Sequence, residues 1–149
     1  PDIPQNTGTI LRLAACFGVG VDIIEPCGFA LSDTRMRRAG MDYVDQVDWK
    51  RHNSWVRFQE DRTSGRLVLL TTRAAVPLQD FGFSESDTLL FGQESAGAPE
   101  EVHAAADARI LIPMQPGLRS LNIAVSASIA LWEALRQTGL AGAAPKTAS

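Results

Sequence analysis

Three short runs, Leu67-Val68-Leu69-Leu70, Leu89-Leu90-Phe91 and Ile110-Leu111-Ile112, are apolar at every position rather than at alternate ones. A strand with one face in water alternates. A strand covered on both faces does not, and parallel strands held between helix layers are of that kind. Segments with helical spacing surround these runs. Ile10, Leu11, Ala14, Ala15 and Phe17 follow Asn6-Thr7-Gly8 and end near Gly18 and Gly20, which predicts a helix with an Asn or Thr cap and a glycine stop. Val21-Asp22-Ile23-Ile24 reads as a short strand cut by Pro26, and the alternation at Val44-Asp45-Gln46-Val47 as another. Further helices are expected over 34–40, 53–62 and 99–106, with Pro99 in the first turn of the last. The longest is expected over 120–138, closed by Gly139, with a stripe of Leu121, Val125, Ile129, Trp132 and Leu135 flanked by alanines. Alternating strands and helices make this an α/β fold with a mainly parallel sheet flanked by helices.

Composition narrows the class. With 149 residues, 45% of them hydrophobic, the chain is long enough for one core and too short for two. We therefore expect a single domain over 1–140, followed by a small, polar, frayed tail over 141–149. No apolar run approaches the roughly 18–20 residues of a membrane span, and no signal-peptide layout is present, so a cytoplasmic protein is expected. Cys16 and Cys27 fit no paired metal spacing, His52 and His103 lie far from them, and no metal is expected. A disulfide between the two is conceivable, but an intracellular chain keeps its thiols reduced. The net charge of −3 argues against a general nucleic-acid binder, so RNA binding must rest on a local patch. Arg35, Arg37 and Arg38 form one, and Lys50-Arg51-His52 is a second cluster whose role stays open.

Gly18-Val19-Gly20 follows a helix and precedes a strand, the reverse of a dinucleotide fingerprint. Three other segments carry more. They are Pro4-Gln5-Asn6-Thr7-Gly8-Thr9-Ile10-Leu11-Arg12, then Leu90-Phe91-Gly92-Gln93-Glu94-Ser95-Ala96-Gly97, then Ile112-Pro113-Met114 with Arg119-Ser120-Leu121-Asn122. The three combine strand ends, glycines and helix starts, where backbone donors and acceptors are open to a ligand. Singly, each is also read as a capped helix, a tight turn or a prolyl loop.

In this order and at these separations the segments resemble the three motifs of the SPOUT (α/β-knot) 2′-O-methyltransferases, over nearly the whole chain. Ile23-Ile24-Glu25-Pro26-Cys27-Gly28-Phe29 and Arg37-Arg38-Ala39-Gly40-Met41-Asp42-Tyr43 are similar to the small single-domain members that methylate cytidine or uridine 34 of certain leucine tRNAs. The resemblance implies a C-terminal trefoil knot, a homodimer packed through the first and last helices, and S-adenosylmethionine as cofactor. It implies cofactor contacts from Leu70, Thr71, Gly92, Ile112, Met114, Ser120 and Leu121, and tRNA contacts from Arg35, Arg37 and Arg38. It places Arg12, Asn6, Glu94 and Asn122 around the catalytic centre. Alternatives are a SPOUT enzyme for rRNA or another tRNA position, or a dimeric RNA-binding protein without turnover.

Three residues depart from the pattern: Thr9 for a usual asparagine, Ala124 for a common serine and Trp132 for a frequent tyrosine. The pattern also expects a short apolar strand before the first motif, which suggests that residues before Pro1 are not shown.

Overall fold

The computed structural model of the chain describes residues 1–28, 45–73, 75–118 and 121–139. The expected helix over 34–40, the arginines 35, 37 and 38, Ser120 and the tail over 141–149 lie outside the described residues. The chain divides into two compact units, Pro1–Thr63 with Gln93–Ala96, and Ser64–Gly92 with Gly97–Ser149.

The first unit opens with helix α1, Pro4–Phe17. Its start lies earlier than the Asn or Thr cap expected from sequence. Proline presets a helical φ and has no N–H to leave unpaired, so Pro4 takes the first helical position and Ile3 becomes the cap. Thr7 is thereby drawn inside, and its amide donates to the Ile3 carbonyl at 3.2 Å. At the far end Gly18 adopts φ 69° and donates its amide back to the Ala14 carbonyl. Thr7, Gly8, Leu11 and Ala14 form the buried face. Strand β1, Val21–Ile24, pairs in parallel with β2, Trp49–His52. Leu11 and Ile23 are buried together, with Val21, Cys27, Val47 and Trp49 packed against them.

Of the strand expected at 44–47, Val44 lies outside the described residues and 45–47 form a turn; the strand that pairs with β1 begins at Trp49. Val47 serves the core from that turn, so its apolar character reflects packing rather than strand alternation. Helix α2, Trp55–Asp61, follows with Ser54 as its cap, the hydroxyl accepting from the Arg57 amide at 3.1 Å.

In the second unit four strands lie in the order β4-β6-β3-β5, all pairs parallel. They are β3 Leu67–Leu70, β4 Val76–Pro77, β5 Thr88–Leu90 and β6 Ala108–Leu111. A short 3-10 turn, Leu78–Asp80, and helix α3, Glu100–Ala105, connect them. The three apolar runs are thus β3 and its two neighbours, and Val68, Leu69 and Ile110 are fully enclosed. Helix α4, Ile123–Gln137, packs Ala130 onto Val68, Leu78 and Ile110. It is shorter than the expected 120–138 because Asn122 caps it, Oδ1 accepting from the amides of Ala124 at 2.8 Å and Val125 at 3.3 Å. At its other end Gln137 accepts from the Phe83 amide at 2.8 Å and donates to the Phe81 carbonyl at 2.9 Å, pinning the loop after the 3-10 turn.

That loop is also held by Asp87, whose side chain is only 4% exposed. Its carboxylate accepts from Arg66 Nε at 2.8 Å, Arg66 Nη2 at 2.7 Å and the Ser84 amide at 2.8 Å. Burial pushes the Asp87 carboxyl up, but Arg66 and the Ser84 amide outweigh it and hold it below the ordinary 3.8. A depressed folded pKa stabilises above the unfolded value, and that contribution drains away as pH falls through the folded one. Asp87→Ala should therefore cost about 1–2 kcal/mol at neutral pH, the figure tempered because Arg66 is partly in water. The gap to wild type should narrow as pH falls below about 4. Denaturant unfolding at pH 7 and pH 3 measures both, and a gap that ignores pH would remove the ionic explanation.

Candidate active site

In a parallel sheet every strand ends on the same edge, so neighbouring strands present their following loops together. In the second unit β5, β3 and β6 are adjacent, and the residues leaving their carboxyl ends are Phe91-Gly92, Thr71 and Ile112-Pro113-Met114. The chain leaves β3 for one side of the sheet and later returns to the other, which makes the end of β3 a point where strand order reverses. Open α/β sheets bind ligands outside such points.

Five of the seven cofactor residues expected from sequence lie at these ends. Leu70 ends β3 and is half-buried. Thr71 extends the ladder by one bond, its amide donating to the Ile110 carbonyl at 2.9 Å, while its hydroxyl accepts from the Arg73 amide at 3.2 Å. Ile112 and Met114 are half-buried after β6. Gly92 turns the loop after β5 so tightly that an added Cβ would collide with the Gly97 carbonyl carbon and the Ala98 amide nitrogen. Leu121, 37% exposed, stands just before the α4 cap. Ser120 lies outside the described residues. Beside these ends a cleft of about 510 Å³ is lined by Leu78, Ile112, Pro113, Ile129 and Trp132 among others. Ile112 alone is common to this open cleft and the expected cofactor residues, so the candidate site is the set of strand ends themselves, with partly exposed apolar groups beside main-chain donors and acceptors.

The four residues expected at the catalytic centre are placed as follows. Asn122 belongs to the second unit and uses its carbonyl oxygen to cap α4. Asn6 and Arg12 share α1 in the first unit, Asn6 half-buried and Arg12 exposed. Gln5, Thr9, Arg12 and Cys16 form the exposed face of that helix, and the Thr9 hydroxyl donates to the Gln5 carbonyl at 3.0 Å. Glu94 also groups with the first unit. Its Oε2 accepts from the Asp2 amide, and its buried Oε1 has no hydrogen-bond partner among the described residues. Asp2 is the residue that sequence reasoning passed over. The available signal was an acid two positions before the helix-opening proline.

The second basic cluster separates on inspection. Lys50 is exposed, Arg51 faces Glu25 at 3.8 Å, and His52 is buried with Nε2 at 2.7 Å from Asp22 Oδ1. His52 is thus a packed strand residue, and only Lys50 and Arg51 face outward. No cluster of three His, Cys, Asp or Glu side chains able to hold a metal occurs among the described residues. Nor is any described helix long and apolar enough to cross a membrane. Cys16 is exposed and Cys27 half-buried, and both thiols are free.

Residues 1–132 match the profile of the SpoU rRNA Methylase family. A tRNA (cytidine(34)-2'-O)-methyltransferase of Beijerinckia indica subsp. indica is 59% identical over 141 residues, covering 93% of this chain and 88% of that protein. Among solved structures, one reported for the 2-OH methylation of C/U34 on tRNA is similar with a TM-score of 0.84 at 43% identity, over 92% of this chain and 90% of that one. The AdoMet-bound rRNA methyltransferase from Sinorhizobium meliloti has a TM-score of 0.78 at 30% identity, over 89% of this chain and 52% of that one. By the extent of these matches, the chain belongs to the SpoU rRNA methylase family.

Proposed function

We propose that the protein transfers a methyl group from S-adenosylmethionine to the ribose 2′-hydroxyl of nucleotide 34, cytidine or uridine, in leucine tRNAs, in the cytoplasm. The observation that carries this reading is the 59% identity, over 93% of the chain, to an enzyme named for that position. The rRNA reading has weaker support, since the rRNA methyltransferase is 30% identical.

The residues present fit the cofactor. Leu70, Ile112, Met114 and Leu121 are partly exposed apolar groups suited to an adenine face, and Thr71 and Gly92 bring main-chain groups at strand ends. When bound, S-adenosylmethionine supplies an electrophilic methyl group on a sulfonium. The rest of the task falls to the protein: aligning the ribose oxygen in line and easing the departure of its proton. Arg12 takes the second part. A guanidinium is too weak an acid to serve as a simple base, so its role is to stabilise the developing alkoxide, with a neighbouring phosphate of the RNA accepting the proton. Asn6 orients the nucleotide, Asn122 fixes the start of α4, and Arg35, Arg37 and Arg38 neutralise tRNA phosphates. Both compact units serve one methyltransferase domain over 1–140, with the trefoil knot of the superfamily at its C-terminal end.

A homodimer completes the reading. Leu121, Val125, Ile129 and Trp132 recur on one side of α4 and its cap, and each is 37–48% exposed. An apolar stripe of that kind on a helix otherwise packed into a core invites a covering surface. Ile129→Asp with Trp132→Glu should convert a dimer to monomers in sedimentation velocity, with tRNA methylation lost in parallel. A double variant that sediments as wild type would move the interface elsewhere.

The function itself is tested by methyl transfer from labelled S-adenosylmethionine to leucine tRNA, with nucleoside mass spectrometry locating the mark. Label at nucleotide 34 is expected; label only in rRNA or at another tRNA position would overturn the assignment. Calorimetry with S-adenosylhomocysteine separates an enzyme from a protein without turnover, and absence of binding at high micromolar ligand would end the catalytic reading.

A further inference from the structure

Residues that lie 92 and 93 positions apart in the sequence hold one another in the first unit. The Asp2 amide donates to Glu94 Oε2, and the Asp2 carboxylate accepts from the Ser95 amide at 3.1 Å and from the Ser95 hydroxyl. This is a reciprocal clasp: each acid accepts from the backbone or hydroxyl of the opposite segment. Segment 1–3 is itself fixed on its other side. The Gly28 amide donates to the Pro1 carbonyl at 2.8 Å, and a Cβ on Gly28 would stand 2.7 Å from Asp2 Cα, so only glycine permits the approach. Pro4 then starts α1 directly after the clasp.

The clasp spends only one of the two Glu94 oxygens. Oε1 is buried and has no hydrogen-bond partner among the described residues. A carboxylate oxygen taken from water without a donor is costly, and such an atom survives in a fold where a ligand supplies the missing donor. Reading Glu94 as part of the catalytic centre rests on the proposed function. Within that reading, we propose that Asp2 is a positioning residue, which clamps the Glu94-Ser95 turn so that Glu94 Oε1 accepts a hydrogen bond from an O–H or N–H of the bound substrate or cofactor. Asp2 touches neither ligand; it acts through Glu94.

The test is methyl-transfer kinetics on the full chain for Asp2→Ala, Asp2→Asn, Ser95→Ala and Glu94→Gln, with Asp2→Ala repeated in the Glu94→Gln background. Asp2→Ala should lower kcat at least about tenfold with KM for tRNA changed less than about threefold, the split expected when an interaction of the transition state is lost. Asp2→Asn keeps one oxygen for the Ser95 amide and should recover most of the rate, while Ser95→Ala loses one of two bonds and should fall between. In the Glu94→Gln background, Asp2→Ala should add less than about a twofold loss, because two residues acting through one contact are not additive. Affinity for S-adenosylhomocysteine assigns the donor. If it stays level, the donor comes from the RNA; if it falls with kcat, it comes from the cofactor. Should Asp2→Ala not fold, Asp2→Asn and Ser95→Ala carry the comparison. An active wild type with Asp2→Ala matching it, or losses that multiply across the double variant, would overturn the Asp2 proposal alone. A wild type that methylates no tRNA would remove the functional reading and this proposal with it.

Discussion

Arg12→Ala should reduce methyl transfer by at least about a hundredfold, the loss typical when a donor aimed at a developing oxyanion is deleted. The protein should stay folded. Arg12 lies on the exposed face of α1, whereas Leu11 and Ala14 provide the packing beside it. Ion pairs and hydrogen bonds of an exposed side chain contribute about 0–1 kcal/mol, so the melting temperature should move by no more than a few degrees. Affinity for S-adenosylhomocysteine should also hold, because Arg12 is proposed to act on the ribose oxygen and is not among the residues proposed for the cofactor. Arg12→Lys keeps the charge but loses the planar fork, so it should restore only part of the rate. Three measurements decide it: initial rate, cofactor calorimetry and thermal unfolding. Normal turnover in Arg12→Ala would end the assignment, and a collapse of cofactor affinity would make Arg12 a cofactor ligand instead.

The parts of the fold that were legible in the sequence were those fixed by burial. Leu67–Leu70 reads as a covered strand because every position is enclosed or nearly so, and a covered parallel strand leaves no other pattern. Helix α4 was legible by its spacing instead, for its small residues Ala124, Ala127 and Ala130 are buried with Leu135, while Val125, Ile129 and Trp132 of the expected stripe are 39–48% exposed. What failed was set by partners distant in sequence. Val47 looked like part of a strand because it is apolar, but pairing with β1 placed the strand at Trp49–His52, where only Trp49 is plainly apolar. Helix α1 starts at Pro4 rather than after the capping residues Asn6 and Thr7, because proline at the first helical position needs no side-chain cap. The candidate site was legible as three motifs, yet only the folded chain brings the ends of β5, β3 and β6 side by side. The clasp between Asp2 and Ser95 could not be read at all, since no periodicity links residues 93 positions apart.

Gly92→Ala tests the cofactor loops most severely. The new methyl group would run into main-chain atoms of Gly97 and Ala98, with Ala98 Cα a further 2.9 Å contact. Backbone cannot swing aside as the tip of a side chain can, so the loop after β5 must open. Overpacking of that kind costs about 1–3 kcal/mol. The loop that opens is the one proposed to bring main-chain groups to the cofactor. Affinity for S-adenosylhomocysteine should therefore fall at least about tenfold, equivalent to ~1.4 kcal/mol. Gly97→Ala is the matched control in the same loop. Gly97 has φ 70° with nothing within 4 Å of its missing Cβ, so alanine meets only left-handed strain, about 1–2 kcal/mol. It should lower stability but leave the approach of residues 92 and 98 intact, and cofactor affinity with it. The contrast removes stability as the explanation, because both variants are weakened and only one loses the ligand. If Gly92→Ala binds as tightly as wild type, the turn after β5 does not contact the cofactor. The donor site would then lack one of its three strand ends, and the contacts of Leu70 and Ile112 with the core of the second unit would suffice to explain their apolar character.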